Sequence, residues 1–359
     1  MLVYIMCYLL SYSFRNLKIK FEVPNLYYLV YGLLREIPKG KITTYGILAR
    51  ILGDVRASRA IGRILSKNKY PDEIPCFKVI KSDGTLGGYT SPGGISDKIN
   101  RLLAEKISIN GNTVRDYKKY LYTGIGERDP HVLESLRRIQ DHLSRRVILL
   151  DENKKSIERI IVTDASYIDA SIPEIGFGVA ALIDLPLQEI LAVSISITPV
   201  FFPYIPGYLA FREAPPILAA IDALKGIVPE PEVFIFDGHG ILHPRKIGLA
   251  AHLGVLLNKP AIGVAKRILV GKISSKKYFL DEKKMVFRAI TLNNVVMGYS
   301  ITKGGKKEII VSPGNKISPE TALKIIISMP WSRKYPDPLY FTHLIANMIR
   351  EKFLKNIMM

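Results

Sequence analysis

Three groups of residues in this chain of 359 have types and spacings that could do chemistry. The first is Asp237, which follows the run Val233-Phe-Ile-Phe236 and precedes Gly238-His-Gly240. An apolar, β-rich run of this length reads as a strand covered on both faces, and the glycines after it permit a close approach of the backbone. A carboxylate at the C-terminal end of such a strand lies where open α/β sheets bind ligands. A lone Asp there would more often cap the next turn. The second group weighs against that, because Arg159-Ile-Ile-Val-Thr163 leads into Asp164 in the same way. Two such strands side by side bring the carboxylates together, and a divalent cation relieves their repulsion. All-oxygen ligands with retained waters suit Mg²⁺. The third group is Cys76 in Ile74-Pro-Cys-Phe-Lys78. A lone Cys is usually a small buried hydrophobe. Here Lys78, Lys81 and a basic helix lie close in sequence, and nearby positive charge favours the thiolate that attacks carbon.

The elements that must position these residues fall into two sets. Leu26 to Ile37 is an apolar-periodic helix stopped by Pro38-Lys-Gly40. Thr43 or Thr44 caps a second helix, Tyr45 to Leu52, closed by Gly53, and Ser58 caps a third, Arg59 to Lys67, carrying Arg59, Arg63 and Lys67. Two short helices about a glycine turn, the second basic, read as helix-turn-helix. Further on, Pro130 opens a helix with Leu133, Leu136, Leu143 and Val147 on one face. Three strands follow at 160–163, 176–183 and 190–197, then helix 208–225, strand 233–236, helix 244–257 opened by Pro244, strand 260–264 and a hairpin over 286–302. Strands first and alternation later predict a mixed sheet with helices on both faces. Period is lost around Asn110-Gly-Asn112, Gly124 and Gly126. The expected organisation is α/β overall: a small helical, winged-helix-like domain over 1–125, then a mixed-sheet α/β domain over 126–359.

Composition agrees with two domains and a polyanionic partner. Net charge is +19 with pI near 9.7, and residues 1–125 hold 20 Lys and Arg against nine Asp and Glu. Two cysteines, Cys7 and Cys76, make no disulfide framework, which points to a reducing, cytoplasmic compartment. Met1 to Leu10 is apolar but too short to span a bilayer, and is expected to pack on the first domain. Neither a membrane nor an obligate protein partner is implied.

The segments around Asp164 and Asp237, with Tyr204-Ile-Pro-Gly207, Phe211-Arg-Glu213 and Gly263-Val-Ala-Lys266, resemble endonuclease V. The resemblance implies a ribonuclease H-like fold and Mg²⁺-dependent nicking of double-stranded DNA 3′ to deoxyinosine or similar lesions. It implies that Asp164 and Asp237 place the metal, that Glu213 is a third carboxylate, and that Lys266 holds phosphate or balances charge. Tyr204, Pro206 and Gly207 become a wedge beside the lesion. His243 orients water or phosphate, and His343 matches a late histidine of the family, although Pro336-Asp-Pro-Leu-Tyr340 departs from the usual Pro-x-Pro-x-Arg. His239 receives no role.

Residues Ile37 to Glu105 resemble the C-terminal domain of O6-alkylguanine-DNA alkyltransferases. The matching pieces include Thr44-Tyr-Gly46, Arg59-Ala-Ile-Gly62, Asn68, Pro75-Cys76, Ser82-Asp-Gly84, Gly87-Gly-Tyr89 and Leu102-Leu-Ala-Glu105. The resemblance implies that Cys76 accepts the alkyl group irreversibly from O6-alkylguanine in DNA, without a cofactor. Tyr45 rotates the nucleotide out, Arg59 fills the gap, Asn68 fixes the turn under the site, Tyr89 lines the guanine pocket and Glu105 anchors the charge relay. O6 cannot be reached inside a stacked duplex, so extrusion is required. Phe77 and Lys78 stand where the family has His and usually Arg. Without the His, the thiolate depends on Lys78, Lys81, Arg59 or a helix terminus. Two rivals stay open: a lesion-binding sensor without transfer, fused to an active endonuclease V, and a helix-turn-helix regulator fused to a nuclease-like core.

Overall fold

The computed structural model describes residues 9–125, 131–151, 156–169, 172–305 and 308–358. The chain opens on an antiparallel hairpin, β1 (Leu9–Phe14) and β2 (Ile19–Pro24). Helices α1 (Leu26–Arg35), α2 (Tyr45–Ile51) and α3 (Ser58–Ser66) follow, ending within two residues of the expected limits. Thr44 caps α2 by accepting from the Ile47 N–H, as its position implied. Ser58 does not cap α3. It is the first helical residue, and its hydroxyl donates to the Val55 carbonyl of the preceding 3-10 turn. Helix α4 (Gly94–Ala104) completes this part.

Helix α5 (Val132–Ser144) bridges to the second part, while Pro130, expected to open it, lies outside the described residues. A ten-stranded mixed sheet then dominates. Its labelled strands are β3 (Arg159–Ile168), β4 (Glu174–Asp184), β5 (Glu189–Val200), β6 (Val233–Asp237), β7 (Ala261–Ala265), β8 (Met285–Leu292), β9 (Val295–Lys303) and β10 (Glu308–Asn315). Their order across the sheet is β8-β9-β10-β7-β6-β3-β4-β5, and only β3, β6 and β7 run parallel. Helices α6 (Leu209–Leu224), α7 (Leu249–Leu257), α8 (Pro319–Ser328) and α9 (Asp337–Met358) cover the sheet. Pro244 does not begin α7, which starts at Leu249. The intervening turn carries the chain past β10, where Ile241 N–H bonds to the Pro313 carbonyl. Gly240 is required by that same approach, since a Cβ there would lie 2.0 Å from the Pro313 carbonyl oxygen.

Residues 1–8, most of the apolar segment expected to pack on the first domain, lie outside the described residues. The hairpin seals against the sheet-bearing part as well as its own: the Tyr12 hydroxyl donates to the Pro199 carbonyl at 2.7 Å, and Leu17 N–H to Asp222 at 2.8 Å. Phe21 stacks on Phe211 with ring centroids 6.2 Å apart. One apolar cluster therefore runs from Phe21, Leu48 and Cys76 through Leu133 to Ile205, Phe211 and Phe236. Among the described residues no helix is long and apolar enough to cross a membrane.

Candidate functional site

The parallel pairing of β3 with β6 sets Phe236 opposite Thr163, so the next residues, Asp237 and Asp164, emerge together at the C-terminal edge. Helix α9 brings in a third group. Ligand atoms of Asp164, Asp237 and His343 all lie within 4.8 Å of one another. His343 Nδ1 is 2.8 Å from Asp164 Oδ2, and Asn347, one turn along α9, holds the other ring nitrogen at 3.0 Å. Lys266, just past β7, donates to Asp237 Oδ2 at 2.8 Å.

Glu213 reaches the cluster from α6. Burial first, then repulsion from Asp164 and Asp237, pushes its carboxyl well above the usual range. Asp237 is raised for the same two reasons, burial and Asp164, against the pull of Lys266. Carboxylates crowded until they resist ionisation are what a divalent cation relieves, and two carboxylates with an imidazole form a donor set able to hold one. The His343 ring is raised through its hydrogen bond to Asp164, an arrangement that also aims a ligating carboxylate.

His243 is not among the ligand groups that meet there. It is buried, accepts from the Arg245 N–H at 3.2 Å, and is pushed down to about 3 by burial and by Arg245, His239 and Arg56. His239 bonds the Arg267 carbonyl at 2.7 Å. Tyr204 is 49% exposed at the head of its loop, while Ile205 and Tyr208 are buried beneath it. Gly207 has φ +85°, and its carbonyl accepts from both Arg245 and Gln140. Tyr340, where the resemblance led to Arg, lies under Arg333, whose guanidinium is 4.3 Å from the ring centre.

Around Cys76 the geometry is equally specific. Cys76 is buried, and Asn68 Nδ2 donates to its sulfur at 3.1 Å and to the Ile74 carbonyl at 2.9 Å, while Asn68 Oδ1 takes the Tyr70 N–H. Tyr45 and Tyr89 stand near, and the Tyr89 hydroxyl is buried without a partner among the described residues. Arg59 is exposed at the start of α3. Burial pushes the thiol up, opposed by the Asn68 bond and the fields of Lys98 and Arg101. Lys98, one of the residues that match the alkyltransferases, is a cation to which sequence reasoning assigned no role beside the thiol. It is fully buried, donates to the carbonyls of Val79 and Leu86 at 2.6 and 2.5 Å, and burial lowers it to about 8. Lys78, by contrast, is spent on Glu105 at 2.9 Å and on the carbonyls of Ile37 and Pro38. Glu105 also holds the Gly40 N–H at 2.8 Å. Phe77 lies between Lys78 and Arg101, each 5.8 Å from its ring centre.

Between the two sites runs a buried ionic knot. Glu174 is fully buried, accepts from Tyr27 at 2.5 Å and Lys67 at 2.7 Å, and pairs in charge with Arg212 at 2.5 Å. Lys67 adjoins Asn68, and Arg212 adjoins Glu213. A second tie joins Asp54, paired with Arg56 at 2.6 Å, to the Tyr208 hydroxyl at 2.8 Å.

Comparison with known proteins agrees with both halves. Residues 141–344 match the family model for Endonuclease V, and residues 25–107 match that for the 6-O-methylguanine DNA methyltransferase DNA-binding domain. A bifunctional methyltransferase/endonuclease of Picrophilus torridus is 38% identical over 319 residues, covering 89% of this chain and 95% of that protein. One of Thermoplasma volcanium is 35% identical, covering 86% of each. Among solved structures, an endonuclease V from Bacillus subtilis superposes with a TM-score of 0.56 at 27% identity, covering 62% of this chain and 94% of its own. A sheet carrying paired carboxylates and a helical part built around a buried thiol, joined as in these relatives, place the chain in the bifunctional methyltransferase/endonuclease family of DNA-repair enzymes.

Proposed function

We propose that residues 1–125 transfer alkyl groups from O6-alkylguanine in DNA to Cys76, and that residues 126–359 cut DNA 3′ to deoxyinosine or related lesions with Mg²⁺. The observation that carries the nuclease reading is the meeting of Asp164, Asp237 and His343 at the C-terminal edge of parallel strands. Asp164 and Asp237 hold the cation, with Glu213 as a third carboxylate at the same mouth. When bound, Mg²⁺ polarises the scissile phosphate and makes water a better nucleophile. Lys266 keeps Asp237 paired and balances charge developing on the phosphate. His343 fixes the orientation of Asp164. Tyr204 stands out from a loop stiffened by Pro206 and turned by Gly207, and wedges the duplex open beside the lesion. His243, which accepts from the Arg245 N–H, orients water or phosphate.

In the transferase part, Tyr45 and Arg59 extrude the nucleotide and fill its place, and Tyr89 offers its unpaired hydroxyl to the guanine. The sulfur of Cys76 bonds to the alkyl carbon as the carbon–O6 bond breaks. The electron pair stays on guanine, and the thiol's proton passes to the base, so no cofactor is consumed and each chain reacts once. Asn68 holds the sulfur in place, and Glu105 braces Lys78. Phe77 favours one second reading, a sensor that binds the lesion without transfer. Intact mass of the protein after incubation with O6-methylguanine duplex separates the two: a methyl adduct on Cys76 supports transfer, and its absence supports the sensor. Nicking of an inosine duplex with Mg²⁺, abolished by chelator, tests the nuclease.

A further inference from the structure

Tyr335 belongs to none of the motifs considered above, yet its hydroxyl faces the nuclease carboxylates. The oxygen is buried, lies beside the Asp237 carboxylate and in the field of Asp164, and makes no hydrogen bond of proper geometry among the described residues. Lys266 Nζ stands 5.7 Å from the centre of its ring.

The ring's position is firmly built. Tyr335 packs on the core formed by Ile235, Val264 and Trp331. The segment ahead of α9 is closed on itself, with Asp337 N–H bonded to the Pro330 carbonyl at 2.9 Å and the Asp337 carboxylate accepting from the Ser332 N–H and hydroxyl at 2.8 and 2.7 Å. Trp331 Nε1 anchors the same segment to the Ile326 carbonyl at 2.9 Å. Tyr335 and His343 are thus two arms of one rigid unit that meets the carboxylates from the carboxyl-terminal side.

A buried hydroxyl without a partner is unfavourable and needs an explanation. Asp237 Oδ2 already takes Lys266 and Asp164 Oδ2 takes His343, and a cation held by these carboxylates would compete for their remaining oxygens. What enters this mouth bringing fresh acceptor oxygens is a phosphodiester. We propose that the Tyr335 hydroxyl donates a hydrogen bond to a non-bridging oxygen of the scissile phosphate, making Tyr335 a catalytic residue of the nuclease. The donor is prepositioned and waits for its acceptor, which is how charge developing on a phosphate is best stabilised.

This rests on the metal-dependent nuclease reading, and Tyr335→Phe tests it while leaving the ring in the core. Three measurements on the full chain compare it with the unaltered protein: Mg²⁺ binding by calorimetry without DNA, binding of an inosine duplex in Ca²⁺, and the single-turnover nicking rate in Mg²⁺. Tyr335→Phe is expected to leave Mg²⁺ affinity within about twofold, to weaken duplex binding about threefold and to slow nicking about tenfold, the size of one lost hydrogen bond strengthened in the transition state. Unchanged duplex binding and nicking overturn the proposal. So does a Mg²⁺ affinity changed by about fivefold or more with duplex binding intact, which assigns the hydroxyl to the carboxylates instead. If the unaltered protein neither binds Mg²⁺ nor nicks, it is the underlying reading that fails.

Discussion

Replacing Glu174 by Gln tests whether the two parts are one folding unit. Glu174 joins Tyr27 and Lys67 of the transferase part to Arg212 of the nuclease part, and the side chains of Lys67 and Arg212 are only 9% and 6% exposed. Gln keeps the shape but leaves two buried cations without an anion. Breaking a buried ion pair from one side costs about 3–5 kcal/mol. An amide oxygen still accepts one bond, so about 3 kcal/mol is expected, a fall in Tm of about 4 °C for a unit of this size. Two local reporters read the two parts: fluorescence of Trp331, the single tryptophan, for the nuclease, and thiol labelling of Cys76 in a Cys7→Ser background for the transferase. Both should shift together, because the core is continuous across the joint. The pH dependence has a definite sign. Burial raises the Glu174 carboxyl, but Arg212, Lys67 and Tyr27 more than offset it, leaving it below its ordinary 4.5. Its stabilisation is therefore complete above that value and is lost as pH falls through the lower folded value. The gap between Glu174→Gln and the unaltered protein should be full at neutral pH and narrow in acid. A gap under about 1 kcal/mol at neutral pH, or a Trp331 transition that moves while Cys76 labelling does not, refutes the reasoning.

Asp237→Asn should abolish Mg²⁺-dependent nicking while methylation of Cys76 proceeds at its usual rate; nicking that survives with the same metal demand removes Asp237 from the metal site. Tyr204→Ala should lower discrimination between inosine and normal duplexes by about tenfold, with little effect on affinity for undamaged DNA, since a wedge acts only where the duplex is opened; equal losses on both would reduce it to packing. The single-turnover methylation rate should rise with pH beyond the ordinary thiol value of 9.0, because burial pushes Cys76 up. Phe77→His should raise the neutral rate by about tenfold and flatten that rise, less than a full general base contributes because Lys78 retains Glu105. An unchanged pH profile assigns the proton path to another group, with Lys98 the first to test.

The meeting of Asp164 and Asp237 was legible because both sit at the ends of strands. A four-residue strand run stopped by Asp has one plausible location for its carboxylate, and two such runs in a mixed sheet have one economical arrangement, which the register of β3 on β6 realises. His343 was harder, since its helix has a weak periodic pattern and its partner, Asp164, is 179 residues away. Tyr335 carried no signal. A tyrosine between Lys334 and Pro336 looks like any surface turn residue until the closed loop before α9 turns it inward. The hairpin at the amino terminus escaped notice for a similar reason: its strands bury a face against Phe211 and Asp222, residues that no local period announces.

The expected boundary near residue 125 marks a change in sequence pattern but not a gap in packing. Lys67 read as the end of a basic helix face, with Arg63 and Arg59 one and two turns before it. In the fold, Arg63 lies 3.5 Å from Asp169, and Lys67 is buried against Glu174. Spacing along a helix establishes that three cations share a face but not what covers that face, and here the nuclease part covers its carboxyl-terminal half. Arg59 and Arg63 remain exposed, and only Lys67 is drawn under the nuclease part. The same logic explains the Cys76 site. Positive charge around the thiol was expected from its sequence neighbours, yet Lys78 turns to Glu105, and the field comes from Lys98 and Arg101 on α4, 22 and more residues away. With Phe77 closing the position where a proton carrier would sit, Cys76 is held by Asn68 and favoured as a thiolate by cations that cannot accept its proton while charged. Its reactivity is then set by how much thiolate burial allows, which is why the pH profile, rather than the presence of the cysteine, decides between transferase and sensor.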